Sequence, residues 1–268
     1  MPSLFSAALV ALITPVLALP QPMVISDSTK QKATQLCGTD DSIVLTDTPW
    51  IIYNMFYNAA QSKGTQCTNY DHVSTSSSAD KEIVWSAVTN IDYVSSTSNV
   101  PKGYSFIGLT QNLETKLSAI DSIPASYEWT RTNSTAYKGN ICLDFMTSAT
   151  KGDSTSSSAQ ELMLWLNYTG GQLPIGWPTP VATVSALYGT SWKLYQGKND
   201  DTGITVSSLL PDTQFEGSWE GDVKDWLEAL VKLDVFSADT YVNVGNAGTE
   251  YFYGNAVVNA TVGLQINL

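Results

Sequence analysis

Carboxylates in apolar surroundings are the residues of this sequence best suited to chemistry. In the segment QELMLWLNY, residues 160–168, leucines at every second position alternate with Glu161, Met163 and Trp165. That period of two is typical of a half-buried strand. A carboxylate beside a Trp and a Met on one strand face costs desolvation free energy unless it has a function there. Glu161 is therefore the first candidate catalytic residue.

Two further carboxylates have similar surroundings. Glu250 lies in the Gly- and aromatic-rich segment NAGTEYFYGNA, and Asp144 lies among apolar neighbours in CLDFMTS. Each alone could belong to an ion pair or end a strand. Together they indicate glycoside hydrolysis, which needs two carboxyls on facing strands and neither metal nor histidine. The 8 Trp and 13 Tyr residues offer faces for sugar rings.

The rest of the composition excludes several other chemistries. His72 is the single histidine and no CxxC is present, so zinc sites built from several His or paired Cys are ruled out. A Ser-His-Asp triad would need His72, which we predict to be an ordinary surface or loop residue, and no GxSxG accompanies it. No GxGxxG or GxxxxGK[ST] offers a nucleotide cradle. We therefore expect no metal and no cofactor.

The charge and the N-terminus indicate where the protein acts. The net charge is −12 and the pI about 4.3, which disfavours nucleic acid as a partner. Residues 1–18 form an uncharged apolar run ending in a small-residue cleavage pattern, which predicts a secretory signal. A membrane anchor is the competing interpretation, but Pro15 interrupts the run. Glycosylation sequons at Asn133 and Asn259 agree with secretion, whereas Asn167 shares the Glu161 face in this reading.

Short alternating segments must position the carboxylates. The C-terminus from Val258 alternates apolar and polar residues, and VATVSALYGTSWKLYQG predicts a hairpin turning near Gly189. In GDVKDWLEALVKL the apolar residues recur at helical spacing, with Asp222 as the N-cap. One helix beside many short strands predicts an all-β sandwich, and the length of 268 residues suits one large domain.

The three cysteines predict one disulfide and one free thiol. Cys37 and Cys67 flank a strand-like stretch and could connect its two ends. Cys142 lies in GNICLDFMTS, where we expect a buried small hydrophobe and not a nucleophile.

The order of several motifs resembles glycoside hydrolase family 12. ELMLWLNYTGG followed by LPIG resembles the family's Glu-Ile-Met-Ile-Trp-Leu and Pro-Ile-Gly, and other family landmarks resemble SIPASYEW, CLDFMTS, WKLYQG, GDVKDWLEAL and AGTEYFYGNA. The resemblance covers residues 37–268, after the predicted signal and an N-terminal segment, residues 19–36. It implies a β-jelly roll of two antiparallel sheets, one of them curved into an open groove for a β-glucan chain.

The resemblance also implies roles for the carboxylates. Glu161 would be the nucleophile, Glu250 the general acid/base and Asp144 an auxiliary aspartate that helps to set the charge of the nucleophile. Hydrolysis would retain the anomeric configuration, with the two Glu carboxyls about 5–5.5 Å apart. Glu250 must then have a raised pKa, while Glu161 must stay ionised. Met163 and Trp165 would line the groove.

One departure from the family affects substrate binding. The family's Asn-Leu-Trp-Gly corresponds to NMFY, so Asn54 and Phe56 are expected to bind substrate, with Phe56 a smaller ring than the usual Trp. We predict a secreted, monomeric, retaining endo-β-1,4-glucanase acting on soluble or amorphous β-glucans. Three alternatives are a xyloglucan-specific enzyme, a non-catalytic glucan-binding protein on the same scaffold, and a lectin-like sandwich whose carboxylates are structural.

Overall fold

Sixteen strands and one α-helix make up the described part of the chain. The computed structural model describes residues 23–25, 33–75 and 81–268, so the predicted signal segment 1–18 lies outside the described residues. The strands are β1 Met23–Ile25, β2 Thr34–Leu36, β3 Asp40–Leu45, β4 Trp50–Met55, β5 Gly64–Thr75, β6 Lys81–Ile91, β7 Gly103–Leu109, β8 Thr115–Lys116, β9 Pro124–Asn133, β10 Lys138–Ser148, β11 Gln160–Thr169, β12 Ala182–Leu187, β13 Thr190–Lys198, β14 Thr205–Pro211, β15 Ser218–Asp222 and β16 Tyr241–Leu264, and the helix is α1 Val223–Lys232.

The strands form two sheets that share β16. The front sheet has the order β1-β3-β4-β7-β16-β10-β11-β14-β13-β12. The back sheet pairs β2 with β5, β5 with β6, β6 and β9 with β16, and β9 with β15. The first half of β16 pairs with β7 and β10, and its second half pairs with β6 and β9. The predicted β-sandwich is confirmed, with β16 as the strand that connects its layers.

Apolar side chains between the sheets and α1 form the main core. Period-2 alternation aims one face of each strand inward. The buried members include Ile52 and Leu143 from the front sheet, Trp85 and Tyr127 from the back sheet, and Trp226 from the helix. The two sheets and the helix therefore share one interior.

Several predicted elements are present where the sequence placed them. Asp222 caps α1 by accepting a hydrogen bond from the Lys224 N–H at 2.9 Å, and β12 and β13 form the predicted hairpin around Gly189, whose φ of +78° suits glycine. Cys37 and Cys67 form the predicted disulfide, and Cys142 is buried and free.

The expectation of purely antiparallel sheets needs correction. β11 and β14 run parallel, and so do β1 and β3. The first exception arises because the chain leaves β11, forms the β12–β13 hairpin at the sheet edge and returns through β14 between that hairpin and β11. No helix in the described ranges combines the length and apolar character that crossing a membrane requires.

Candidate active site

The three carboxylates lie on three adjacent strands of the front sheet. Glu250 is on β16, Asp144 on β10 and Glu161 on β11, and β10 lies between the other two. On β11, Leu162 and Leu164 pack into the main core, so Glu161 points away from it. The sequence pattern of this strand is therefore confirmed, and all three carboxylates belong to the outer, front face of the sheet.

An apolar cluster covers the same front face. It is separate from the main core and is called the front cluster here; its buried members are Tyr104, Phe106, Cys142, Met163, Trp165, Tyr195, Val206 and Leu210. Trp165 is only 2% exposed and Met163 only 5%. Side chains on the outer face of a flat, uncovered sheet would remain accessible, so this burial indicates that the front face is concave or covered at this point. Met163 and Trp165 thus lie beside the carboxylates in the buried layer of the front face, which is called the floor.

A bulge in β11 changes which residues face forward beyond Trp165. Cys142 pairs with Trp165, whereas the preceding residue, Ile141, pairs with Asn167, so β11 contains one extra residue. The extra residue moves Asn167 off the Glu161 face, contrary to our expectation. Asn167 is 8% exposed and donates a hydrogen bond to the Phe215 carbonyl at 3.0 Å.

Glu250 has a defined set of hydrogen-bond donors. The Asn140 side-chain amide donates to Glu250 Oε2 at 2.7 Å, and Asn140 Oδ1 accepts from the Glu250 N–H at 3.0 Å. Gln172 Nε2 also donates to Oε2, at 3.4 Å. The nearby Tyr57 hydroxyl also lowers the pKa of Glu250. These contacts fix the position of the Glu250 carboxyl on the front face.

Burial raises the pKa of all three carboxyls, and repulsion by neighbouring charges adds to this for Glu250 and Asp144. Burial, followed by the charge of Glu161, raises the pKa of Glu250 from 4.5 to about 7, against the lowering effect of its hydrogen bonds. Burial also raises the pKa of Glu161 to about 7. For Asp144, burial and then the charges of Glu161 and Glu250 raise the pKa well above its ordinary value. Each charge opposes the next, so the site favours partial protonation near neutral pH.

No cation compensates these carboxylates within the described ranges. The five ion pairs found there all involve other residues, and the same ranges contain no His/Cys/Asp/Glu group able to hold a metal ion. Asp144 Oδ1 and Gln172 Oε1 are buried without a protein hydrogen-bond partner among the described residues. Buried polar atoms are normally paired, so a hydroxyl-rich ligand or water would complete this site.

Two residues expected to bind substrate face the wrong way. Asn54 is 0% exposed and bonds through its side chain to the Gly38 carbonyl and to Thr68. Phe56 is 7% exposed and belongs to the main core. On β4 it is Tyr53 and Met55 that pack against the front cluster. Side chains on a strand alternate between its two faces, so a shift of one residue moves every side chain to the opposite face. The residues that face the front cluster are therefore one position away from the expected ones.

Three residues of the site were not predicted. Tyr57 stands where the family pattern has Gly, and its ring is 46% exposed while its hydroxyl lies close enough to Glu250, Glu161 and Asp144 to feel their charges. Asn140 could have been found from its position two residues before Cys142 on the strand of Asp144. Gln172 lies in a loop, where no periodicity indicates direction.

Aromatic residues flank the carboxylates along the front face. On the β4–β7 side, Tyr53 stacks on Phe106 with ring centroids 5.2 Å apart, and Phe106 stacks on Tyr104 at 4.9 Å. On the β13 side, Trp177 packs on Tyr195 at 5.4 Å. The site therefore has carboxylates at its centre and ring faces on both sides.

The predicted glycosylation sites lie on the surface. Asn133 and Asn259 are both exposed, as attachment of a glycan requires. Modification of these two residues remains a prediction.

Comparison with known proteins identifies related sequences and structures. The family model for glycosyl hydrolase family 12 matches residues 48–266. The chain is 31% identical over 230 residues to xyloglucan-specific endo-beta-1,4-glucanase A of Aspergillus aculeatus, covering 86% of this chain and 89% of that protein. It is 30% identical over 207 residues to inactive glycoside hydrolase XLP1 of Phytophthora nicotianae, covering 77% and 81%.

The solved structures agree with these sequence matches. Trichoderma harzianum endoglucanase 3, a family GH12 protein, superposes with a TM-score of 0.76 at 22% identity, covering 91% of this chain and 100% of that one. The catalytic domain of Humicola grisea Cel12A superposes with a TM-score of 0.73 at 24% identity, covering 87% and 99%. The expected jelly-roll fold is thereby confirmed.

Proposed function

The chain belongs to glycosyl hydrolase family 12, and from that membership we propose that it is a retaining endo-β-1,4-glucanase. The observation that carries the proposal is the group of three half-buried carboxyls on adjacent strands of the front face, where burial and then the charge of Glu161 raise the pKa of Glu250. Double displacement needs two carboxyls near one another with different protonation states.

In the first step Glu161 attacks the anomeric carbon and forms a covalent glycosyl-enzyme. Glu250 donates its proton to the departing glycosidic oxygen in the same step. In the second step Glu250 accepts a proton from water, which attacks the anomeric carbon and releases Glu161. Retention requires the carboxyls to lie about 5–5.5 Å apart, and we propose that a curl of the front sheet brings the side-chain carboxyls of Glu161 and Glu250 to that separation above β10.

The raised pKa of Glu250 supports its role as proton donor, whereas Glu161, whose pKa is also raised to about 7, needs a neighbour that favours its ionised form. A proton donor must hold its proton near the working pH, and Glu250 has a pKa of about 7. Burial, followed by the charges of Glu161 and Glu250, raises the pKa of Asp144 well above its ordinary value, so we propose that it remains protonated. A protonated Asp144 next to Glu161 can donate a hydrogen bond and thereby favour the ionised nucleophile.

The substrate class has two candidates. Unbranched β-1,4-glucan suits a face on which the half-exposed ring of Tyr53 lies over the buried ring of Phe106. Xyloglucan is the second candidate, because relatives from Aspergillus aculeatus and Aspergillus niger are named xyloglucan-specific. Xyloglucan carries side branches, so the choice depends on the room along the groove walls.

A non-catalytic role on the same scaffold is the alternative of another class. It is motivated by the inactive relative from Phytophthora nicotianae. All three carboxylates are present at the centre, and two side-chain amides donate hydrogen bonds to Glu250. This arrangement favours catalysis. A lectin-like sandwich would have no use for carboxyls with raised pKa values.

Hydrolysis assays test the proposal directly. The purified chain should release reducing ends from carboxymethyl cellulose, mixed-linkage glucan and xyloglucan, and viscosity should fall before most reducing ends appear if the attack is internal. Proton NMR of the first product should give the β-anomer. Absence of reducing ends on all three polymers would refute the enzyme, and an initial α-anomer would refute retention. Detection of the chain in culture medium would test the proposed secretion.

A further inference from the structure

An exposed tryptophan covers the front face at its β13 end. Trp177 lies in the loop between β11 and β12 and is 49% exposed. One side of its indole packs on Tyr195, with ring centroids 5.4 Å apart and an angle of 32° between the planes. Tyr195 is 7% exposed and belongs to the front cluster with Trp165. Trp177 therefore stands above the floor of the front face with its other side uncovered.

The loop that carries Trp177 is held against β13. Gly176 has a φ of +93°, and a Cβ there would lie 2.5 Å from the Gln196 carbonyl oxygen. Gly197 is similarly close to Ile175, since its Cβ would meet Ile175 Cγ2 at 2.7 Å. Glycines at both points allow the loop to approach the strand closely. The position of the indole is thus set by backbone packing.

The same loop contacts the carboxylate centre. Gln172, five residues before Trp177, donates a hydrogen bond to Glu250 Oε2. β13 lies two strands from β11 on the side away from β10, which is roughly 10 Å at the usual strand spacing. A glucan chain that crosses the strands over Glu161 and Glu250 has one sugar ring on each side of the cleaved bond. Such a chain would reach Trp177 with a ring that lies further along than these two.

We propose that Trp177, supported by Tyr195 on β13, three strands from β10, is a stacking platform for a sugar ring at least two positions outside the cleaved pair, so that it favours long glucan chains over short ones. The proposal rests on the proposed function and adds a specificity-determining residue to it. The uncovered indole side offers an apolar, electron-rich face, which suits the C–H face of a neutral β-linked glucose.

The test compares Trp177→Ala, Trp177→Phe and the unchanged chain on cellohexaose and cellotriose. Losing one stacked ring should raise KM for cellohexaose about 2- to 10-fold and leave kcat nearly unchanged. Cellotriose is too short to span the centre and the platform, so its kcat/KM should not change. Trp177→Phe should keep part of the effect. Tyr93→Ala removes another exposed ring, 61% exposed and outside the front cluster, and serves as the control.

Each outcome has a distinct meaning. Equal losses on cellohexaose and cellotriose, or no loss on either, would overturn the platform. If the unchanged chain hydrolyses no β-glucan, the proposed function fails, and calorimetric binding of cellohexaose to the unchanged chain and to Trp177→Ala then tests the platform separately. Equal affinities in that experiment would refute it. Matching thermal unfolding midpoints would verify that the variants are folded.

Discussion

The carboxylate centre and the aromatic floor beside it occupy one face of one sheet but contribute to stability with opposite sign. At the centre, burial raises the pKa values of Glu161 and Glu250 to about 7, so ionisation there opposes folding. In the floor, Tyr104 and Phe106 are 4% and 5% exposed and stack on each other, so their burial favours folding. The comparison indicates that the fold tolerates an unfavourable centre because the apolar floor stabilises the same sheet.

The largest effect is expected from Glu161→Gln. Without a nucleophile the hydrolysis of β-glucan should fall by at least about 10⁴-fold. The folded pKa of Glu161 is about 7 and its ordinary value 4.5, so the folded state holds the extra proton and loses stability as pH rises between these values. The variant should therefore unfold at a higher temperature than the unchanged chain at pH ~8, with a smaller difference at pH ~5.

Glu128→Gln is the matched control for this experiment. Glu128 is an exposed carboxylate on β9 of the back sheet, so both its activity and its unfolding temperature should stay near those of the unchanged chain. Near-normal turnover in Glu161→Gln would remove Glu161 from the mechanism. A lower unfolding temperature at pH ~8 would contradict the idea that the centre opposes folding.

Glu250→Gln should give a loss that depends on the leaving group. Removing a general acid costs about 10²–10⁴-fold, and polysaccharides need that acid because a sugar alkoxide leaves poorly. A dinitrophenyl cellobioside has a leaving group that needs no proton, so formation of its glycosyl-enzyme should be almost unaffected. A burst of dinitrophenol followed by slow turnover is the expected signal, measured by stopped-flow absorbance. Equal losses on both substrates would assign another role to Glu250.

Strand-borne parts of the site could be predicted from the sequence. Alternation in QELMLWLNY predicted the direction of Glu161, whereas Glu250 and Asp144 received their roles from the family resemblance. Errors arose where periodicity fails. The bulge after Trp165 turned Asn167 inward, and carrying the family motif over to Asn54 and Phe56 did not reveal that both side chains face the interior. Gln172 and Trp177 lie in a loop, where only tertiary packing determines direction.

Phe106→Ala tests the floor side of the comparison. Truncating a buried Phe typically lowers the free energy of unfolding by about 3–5 kcal/mol, and Phe106 contacts the rings of both Tyr53 and Tyr104. Urea unfolding should show that loss, whereas Trp177→Ala, at an exposed position, should change the free energy by less than about 0.5 kcal/mol. Comparable losses in the two variants would mean that the loop, and not only the floor, stabilises the front sheet.

The smallest effect is expected from Tyr57→Phe. Tyr57 has an aromatic ring like the residues of the floor, and its hydroxyl lies near the carboxylate centre. The Tyr57 hydroxyl lowers the pKa of Glu250, and desolvation of that hydroxyl, followed by the Glu250 charge, raises the pKa of Tyr57 well above its ordinary value, so it stays protonated. Activity requires protonated Glu250 and should decline above its pKa. Removing the hydroxyl raises that pKa, so the alkaline limb of kcat/KM should move to higher pH, with less than tenfold change in rate.

The control for Tyr57→Phe is Tyr93→Phe, which removes a hydroxyl from a ring that is 61% exposed. Its pH profile should match that of the unchanged chain. If the alkaline limb in Tyr57→Phe instead stays in place while KM rises, the hydroxyl does not act on Glu250, and Tyr57 belongs functionally to the aromatic floor. A limb that moves to lower pH would contradict this role of the hydroxyl. It would mean that the hydroxyl destabilises the Glu250 carboxylate and raises its pKa.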